Sequence, residues 1–267
     1  MIRRTLAVSI LTLGSLGLPA QAAELNALNN LLFSQSDFRL LSEDLGAALS
    51  YKPLSPGEPL GITGFDLGIE VTATQLENSA RYSNAFTGSV PDTLYLPKVH
   101  VHKGLPFGLD IGGFYSAVPD SNIKLWGAEV RYAILKGSTT SPALALRASF
   151  SALDGVEQLK FNTTGVDVSI SKGFAMFTPY AGIGKVWVRS TPDPSTGKTE
   201  EEFDLSKVFI GVNMNLAVVN IAIEGDKTGE AASYGIKLGW QLTNCSLVDV
   251  FIMFGSGIRC VSFRLDK

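Results

Sequence analysis

The residue types best suited to chemistry in this chain are two histidines that lie close together. His100 and His102 are its only histidines, and residues two apart in an extended strand point to the same face. Neutral imidazoles bind transition metals, and an imidazole can also act as a catalytic base. No second group of histidines or cysteines accompanies them in the strand-forming part of the chain. We therefore expect two histidines satisfied by their surroundings, with no metal and no cofactor.

Serine is the other candidate nucleophile. Ser116, Ser149 and Ser151 occur in strand-like segments and lack a Gly-x-Ser-x-Gly context. A hydrolase needs its nucleophile and base held together, and nothing in the sequence pairs these serines with a base. We expect no catalytic residue, and a protein that is not an enzyme.

The histidines and serines fall in segments whose side chains alternate between apolar and polar. Over positions 64–74, Phe65, Leu67 and Ile69 face one way, whereas Asp66 and Glu70 face the other. Successive strand side chains point to opposite faces, so such a segment predicts a strand with one apolar and one polar face. Ten segments follow this rule: 64–74, 95–103, 107–117, 123–134, 143–153, 161–171, 178–189, 206–216, 219–226 and 233–242. Most are close to the roughly 9–11 residues that a tilted strand needs to cross a bilayer.

The polar faces carry nearly all of the charged strand residues. We predict that these faces line the interior of a barrel, with the following lumen-lining candidates: Asp66, Glu70, Lys98, His100, His102, Asp110, Glu129, Arg131, Arg147, Asp167, Lys207, Glu224 and Lys237. Arg or Lys on the lipid face would cost about 2–4 kcal/mol near the membrane midplane, which explains the alternation. Both signs occur about equally, so we favour an ion-pair network that fills a narrow interior over a charged constriction that selects solutes.

The N-terminus predicts export. Arg3 and Arg4 precede an apolar run over 6–18, and a small-residue site ends at Ala22. This is the pattern of a signal peptide over 1–22 that is cleaved after export. The alternative is a membrane-anchoring helix, but the run over 6–18 has 13 residues, fewer than the roughly 20 that a spanning helix needs.

Export and alternation together predict the fold class. The mean hydropathy is +0.20, yet no other long apolar run occurs. Only helices and closed barrels satisfy every backbone group in lipid. We therefore predict an all-β fold, a transmembrane antiparallel up-and-down β-barrel of about ten strands over 61–242, located in the outer membrane of a Gram-negative cell. Leu67, Ile69, Val71, Leu238 and Trp240, together with Phe65, are expected to face lipid.

A different pattern precedes the barrel, over 23–60. Phe38, Leu41, Leu45 and Leu49 recur at helical spacing, and Asp37 is suited to cap the helix start. We predict a short N-terminal helix, either at the periplasmic mouth or as a plug in the lumen. The alternative is an extra strand over 47–54, which would bring the barrel to twelve strands.

The lengths of the connections predict the orientation. Long polar connections over 75–94 and 190–205 alternate with short ones, and bacterial barrels have long outer loops and short periplasmic turns. Both ends of the barrel are therefore expected in the periplasm. The net charge is −3, from 22 basic and 25 acidic residues, and no basic cluster indicates nucleic-acid binding.

Several segments of the chain resemble parts of known outer-membrane proteins. The alternating stretch 233–242 resembles the C-terminal signal of Gram-negative outer-membrane proteins, which the barrel assembly machinery reads. The segments 61–66, 96–98, 103–107 and 179–182 resemble those of an uncharacterised family of proteobacterial outer-membrane β-barrel proteins, over roughly 38–242. The resemblance implies a barrel in outer-membrane lipid, and no known ligand or catalytic residue. The chain departs from the pattern where Leu242 replaces a terminal aromatic residue and 243–267 continue as an atypical extension that holds Cys245 and Cys260.

The function expected from these features is passage of a small solute through a narrow channel or transporter. Barrels of roughly eight strands are filled by side chains, and those of about sixteen hold an aqueous channel, so ten or twelve strands make a wide pore improbable. The alternative is a structural or surface-interaction barrel without transport.

Overall fold

Ten antiparallel strands form a closed barrel in the computed structural model, which describes residues 34–83, 91–117, 122–138, 140–216, 218–242, 252–254 and 257–259. The strands are β1 Phe65–Gln75, β2 Thr93–Gly104, β3 Leu109–Ala117, β4 Lys124–Lys136, β5 Ala143–Asp154, β6 Leu159–Ser171, β7 Phe177–Pro192, β8 Glu201–Leu216, β9 Val219–Thr228 and β10 Ala231–Leu242. Each strand pairs with its neighbour in sequence, and β1 pairs with β10 to close the barrel. The predicted up-and-down barrel of ten strands is confirmed.

Two helices and a small sheet complete the described elements. The helices are α1 Gln35–Leu49 and the short α2 Ser79–Tyr82, with single 3-10 turns at Pro106–Gly108 and Pro194–Thr196. Strands β11 Ile252–Phe254 and β12 Gly257–Arg259 pair with each other in a separate two-stranded sheet. Among the described residues, no helix has both the length and the apolar character that crossing a bilayer requires. The predicted signal peptide and both cysteines lie outside the described residues.

The register places the predicted apolar face on the outside of the barrel. Leu67 pairs with Trp240 and Ile69 pairs with Leu238 across the closing strands. Ile69 is 51% exposed and Trp240 62% exposed, although neither has a polar side chain. Paired residues of an antiparallel sheet share a face, so the outward position of one fixes that of its partner.

The barrel has two unlike ends. The connections β1–β2, β3–β4, β5–β6, β7–β8 and β9–β10 lie at what we call the long-loop end. The opposite, short-turn end holds the start of β1 and the end of β10. The predicted loop over 190–205 is wrong in its bounds, because β7 continues to Pro192 and β8 begins at Glu201. Ion pairs between the strands, such as Lys185 with Asp204 at 2.7 Å, hold this polar part of the hairpin together.

Helix α1 begins with a capping box. Ser34 is the N-cap and its hydroxyl accepts from the backbone N–H of Asp37, whose carboxylate accepts from the Ser34 backbone N–H. The prediction that Asp37 itself caps the helix is wrong, since it occupies the third helical position. The alternative of an extra strand over 47–54 is also wrong, because the helix continues to Leu49 and no strand follows before β1.

The apolar stripe of α1 builds a core inside the barrel, at the long-loop end. Phe38, Leu41, Leu45 and Leu49 are buried there. Inward-facing residues of the wall pack in the same cluster: Leu96, Phe114, Leu125, Leu159, Phe161, Val186 and Val188. The lumen is therefore apolar around α1. Only the part of the lumen beyond α1 has the polar lining that the sequence predicts.

Residues 50–63, which we call the lumen segment, run from α1 through the barrel to the short-turn end. The Ser151 hydroxyl donates to the Leu49 carbonyl at one end, and the Leu60 N–H donates to Asp110 at the other. Gly61 approaches Gly104 so closely that a Cβ on Gly104 would lie 1.9 Å from the Gly61 carbonyl oxygen. The plug alternative therefore fits α1, which lies in the lumen at the end opposite the start of β1, and the lumen segment continues this plug through the barrel.

Candidate functional site

The charged residues of the wall form the most distinctive polar site in the described molecule. The structure places all of the predicted lumen-lining side chains in buried positions inside the barrel: Asp66, Glu70, Lys98, His100, His102, Asp110, Glu129, Arg131, Arg147, Asp167, Lys207, Glu224 and Lys237. They alternate with the exposed outward residues of their strands, so the period-two pattern of the sequence positions them.

Ion pairs across neighbouring strands organise this wall. Asp66 accepts from Lys237 at 2.8 Å, and Arg131 donates to Asp110 at 2.6 Å. Glu70 lies 3.1 Å from Lys98 Nζ. Such pairs are buried, and the desolvation of two ions offsets much of their attraction. The pairs therefore specify the arrangement of the interior more than they add to stability.

Arg147 lies at the centre of the wall between two carboxylates. Its Nε is 3.0 Å from Glu129 Oε2 and its Nη1 is 3.8 Å from Asp167 Oδ1. Arg147 is one of the largest fully buried side chains in the described part of the chain. A buried arginine of this kind keeps its charge, so both carboxylates have a cation nearby.

The lumen segment makes polar contacts with this wall along its length. Lys52 Nζ lies 2.7 Å from Asp226 Oδ1, and the Lys207 ammonium donates to the Tyr51 carbonyl at 2.6 Å. The Leu54 N–H donates to Glu224 at 3.0 Å. Leu54 has a φ of 43°, a left-handed backbone that a leucine rarely adopts, so its surroundings must hold it there.

Farther along, the wall continues to satisfy the backbone of the lumen segment. Arg131 donates to the Pro56 carbonyl at 2.6 Å and to the Ser55 hydroxyl at 3.1 Å. The Gly57 N–H donates to the Ser171 hydroxyl at 3.1 Å. A segment of irregular backbone inside a membrane barrel is stable only when protein groups satisfy it in this way.

The two histidines form a cluster with acidic residues. His100 Nδ1 lies 3.3 Å from Glu70 Oε2, and His102 Nε2 lies 3.2 Å from Glu129 Oε1. Asp66 Oδ1 is 3.6 Å from His100 Nε2. Both imidazoles and all three carboxylates are buried. The sequence pattern placed the histidines on one face but gave no sign that Asp66 on β1 lies beside them.

At the long-loop end, Asp44 of α1 is a buried acid with several hydrogen-bond partners. It accepts from the backbone N–H and side-chain amide of Asn78 and from the Tyr82 hydroxyl. Burial raises the pKa of Asp44 despite these hydrogen bonds. Burial, and the nearby Asp44 carboxylate, raise the pKa of Tyr82. The cluster connects α1 to the β1–β2 connection.

The sequence does not reveal the contacts between the lumen segment and the barrel wall. Lys52 and Tyr51 lie before the first strand, and Asp226 lies at the end of the ninth predicted strand. Lys52 precedes Pro53 and Pro56, and the sequence around it gives no signal of these contacts. A pattern analysis of single strands does not report contacts between a strand and a distant coil.

No family model and no curated protein matches the chain. Three of the solved structures that match the chain are as follows. Neisserial surface protein A (NspA) is 11% identical, with a TM-score of 0.30, over 68% of this chain and 97% of that chain. A loop-deletion form of OmpT, an outer membrane protein of Vibrio cholerae, is 14% identical, with a TM-score of 0.31, over 75% and 72%.

The third structure is Ail, the attachment invasion locus protein of Yersinia pestis, in complex with the heparin analogue sucrose octasulfate. It is 8% identical, with a TM-score of 0.25, over 67% of this chain and 97% of that chain. These likenesses are too remote to carry an argument about function. The class of this protein is defined by its own strand pairing: a closed antiparallel β-barrel of ten strands with a short N-terminal helix.

Proposed function

We propose that this chain is an outer-membrane β-barrel whose own N-terminal part closes the lumen, and which acts through a surface at its long-loop end. The observation that carries the proposal is the path of the lumen segment. It runs through the whole barrel and makes buried contacts from Lys52 with Asp226 to Leu60 with Asp110.

The outer face supports the membrane location. Every barrel strand exposes at least one large apolar side chain at an outward position: Leu67, Val99, Ile111, Val130, Leu146, Val168, Ile183, Ile210, Ile223 and Leu238. Soluble monomers rarely expose an apolar belt that continues around all ten strands. Such a belt matches the band that outer-membrane barrels present to lipid.

The interior supports closure. A barrel of ten strands is narrow, and here α1 fills one part of the lumen while the lumen segment fills the rest. Lys207 and Arg131 donate to backbone carbonyls of the lumen segment, so wall charges that would line a water path bind this segment instead.

The long-loop end offers a defined surface. Arg39 of α1 lies 3.1 Å from Glu201 and stacks 3.9 Å from the Phe203 ring, and Gln35 bonds to Thr199. These contacts join α1 to the β7–β8 hairpin. Long loops of bacterial barrels face the cell exterior, so the joined surface is expected there, available to a partner.

A second candidate function is passage of a small solute after the lumen segment moves. The observation in its favour is the nature of the contacts, which are ion pairs and hydrogen bonds that can exchange with water. Arg147, Glu129 and Asp167 are charged groups buried in the wall, so release of the segment would expose a charged lumen.

Labelling of intact cells tests the proposed surface. A cysteine replaces Glu202 on the hairpin or Met176 at the short-turn end, both of which are exposed, in a Cys245→Ser/Cys260→Ser background. We expect a membrane-impermeant maleimide to label E202C in intact cells and M176C only after lysis. The reverse pattern would contradict the orientation, and equal labelling in intact cells would contradict the membrane location.

Planar-bilayer recording separates the two functions. The wild-type barrel is compared with a Gly57→Cys/Ala145→Cys variant, in which a disulfide would fix the lumen segment to β5. We expect no steady current from either. A wild-type current that the disulfide abolishes would establish the passage function, whereas a current that survives it would contradict a closed lumen.

A further inference from the structure

We propose that Asp66, His100 and His102 form a binding site for a divalent transition metal, of the kind that zinc occupies, inside the barrel. One ligand atom from each residue lies within 4.8 Å of the other two, and all three residues are buried. The proposal does not depend on whether the barrel conducts or binds a partner.

The register of the first two strands brings the three ligands together. Asp66 on β1 is the direct partner of His102 on β2, and Gly68 is the partner of His100. A Cβ on Gly68 would lie 3.0 Å from His100 Cε1, so a glycine at this position avoids a close contact with the imidazole ring. Paired residues of an antiparallel sheet share a face, and here all three side chains point into the lumen.

Each histidine also has a carboxylate outside the proposed ligand set beside its other ring nitrogen, and the Tyr51 hydroxyl lies 3.1 Å from His102 Nε2. Glu70 lies 3.3 Å from His100 Nδ1, and Glu129 lies 3.2 Å from His102 Nε2. When the proton of each ring is on the nitrogen beside Glu70 or Glu129, the other nitrogen has a lone pair available to a metal. Metal-binding histidines are commonly oriented by a carboxylate in this way. The free nitrogens are then His100 Nε2 and His102 Nδ1.

The three atoms that would bind the metal have no hydrogen-bond partner, although His100 Nε2 and Asp66 Oδ1 lie 3.6 Å apart. His100 Nε2, His102 Nδ1 and Asp66 Oδ1 are buried, and none of them accepts or donates a hydrogen bond. The other oxygen of Asp66 is bound by Lys237 at 2.8 Å. A buried polar atom without a partner costs free energy, and an ion shared by three such atoms would remove that cost.

The ligand set fits zinc chemistry. Two imidazole nitrogens and one carboxylate oxygen are a common three-residue set for zinc, with a fourth position open to water. Because zinc bonds to nitrogen and oxygen are about 2.0–2.2 Å long, ligands in a filled site lie within roughly 4.4 Å of one another. The three side chains therefore need only small shifts to close on an ion.

The charged side chains around the site determine its affinity for a metal ion. Each of the three carboxylates already has a cation: Lys237 beside Asp66, Lys98 beside Glu70 and Arg147 beside Glu129. A divalent ion therefore adds charge to a balanced wall. We expect binding weaker than that of a structural zinc site, and dependent on both histidines.

Zinc incorporation during refolding tests the proposal. The full chain is prepared without a histidine tag in the Cys245→Ser/Cys260→Ser background, which removes thiols that would bind zinc elsewhere. It is refolded with zinc, passed over a weak chelator, and analysed for zinc per barrel and by X-ray absorption. We expect about one zinc per chain, with two imidazole ligands and no sulfur.

Variants then assign the ion to these residues. Glu129→Gln, which changes an outer partner, should lower zinc affinity by about 10–100-fold. His100→Gln or Asp66→Asn should lower it by more, whereas Ser169→Ala, which alters another buried inner-face group, should leave it unchanged. Heat-modifiable migration shows that each variant is folded.

Two outcomes would overturn the proposal. One is a wild-type barrel that keeps no zinc after refolding in its presence. The other is zinc that a folded His100→Gln/His102→Gln variant still retains. If these variants do not fold, the absorption spectrum of the wild-type barrel decides, since a spectrum without imidazole scattering contradicts the site.

Discussion

Lys52 of the lumen segment and Asp226 of β9 form a buried ion pair, with Lys52 Nζ 2.7 Å from Asp226 Oδ1 and side-chain exposures of 1% and 4%. The same ammonium group donates to the Ser233 hydroxyl at 3.1 Å. The pair fixes the lumen segment against the wall near the long-loop end. We expect its removal to destabilise the seated lumen segment.

Lys52→Met should destabilise the seated lumen segment by about 3–5 kcal/mol, because it leaves the Asp226 carboxylate buried without its cation. Hydrogen exchange of the backbone amides over 50–63 measures the change. Lys52→Met/Asp226→Asn is the matched control, since it removes both charges and should recover most of the loss. A double variant as unstable as the single one would show that charge burial is not the cause.

Gly104→Ala should unseat the lumen segment at the short-turn end, because the added Cβ would lie 1.9 Å from the Gly61 carbonyl oxygen. We expect a loss of about 1–3 kcal/mol in the free energy of unfolding, measured by urea denaturation in detergent. Gly225→Ala is the control, since its Cβ would meet no atom closer than 3.7 Å. Equal effects of the two substitutions would contradict the close approach of Gly61.

The docking of α1 should depend on pH through Asp44, whose pKa is raised by burial. The folded state then holds a proton more tightly than the unfolded state, in which the pKa is about 3.9. The favourable contribution is complete below the unfolded pKa and is lost as pH rises through the folded pKa. Hydrogen exchange of α1 amides, corrected for intrinsic rates, should therefore show more protection on acidification. Asp44→Asn should flatten this response, and an unchanged response in that variant would contradict it.

A nitroxide at position 69 should be reached by oxygen dissolved in lipid, whereas one at position 72 should not. Ile69 is 51% exposed on the outer face, and Thr72 is 1% exposed on the inner face of the same strand. Electron paramagnetic resonance of Ile69→Cys and Thr72→Cys, each spin-labelled in liposomes, compares the two sites. Similar oxygen accessibility at both would contradict the assignment of the faces.

The sequence was sufficient to predict the strands, because lipid and lumen impose opposite demands on alternate residues. Leu67 and Trp240 therefore face outward as expected. The same rule hides the apolar core around α1, since Phe114 and Val188 are apolar but point inward. The alternation of apolar and polar residues shows which side chains share a face of a strand. It does not show which face contacts another element.

The contacts of the lumen segment could not be predicted for a different reason. Lys52 lies 174 residues before Asp226, and no periodic pattern links a coil to a strand. Strand β8 begins at Glu201 and not at the predicted 206, because its outward residues there, Glu202 and Asp204, are charged and resemble a loop in the sequence. Acidic residues suit a helix cap, which favours Asp37 in the sequence, although Ser34 occupies that position and Asp37 completes the capping box.

The most direct test of the closed lumen is disulfide formation between Gly57→Cys and Ala145→Cys in the Cys245→Ser/Cys260→Ser background. A Cβ on Gly57 would lie 3.2 Å from the Ala145 Cβ, close to the roughly 3.5–4.5 Å of a disulfide. The control pairs Gly57→Cys with Ser149→Cys, about 13 Å farther along β5. Mass spectrometry of the folded barrel after mild oxidation should show a nearly complete disulfide for the first pair and free thiols for the control. Free thiols in both pairs would contradict a lumen segment seated inside the barrel.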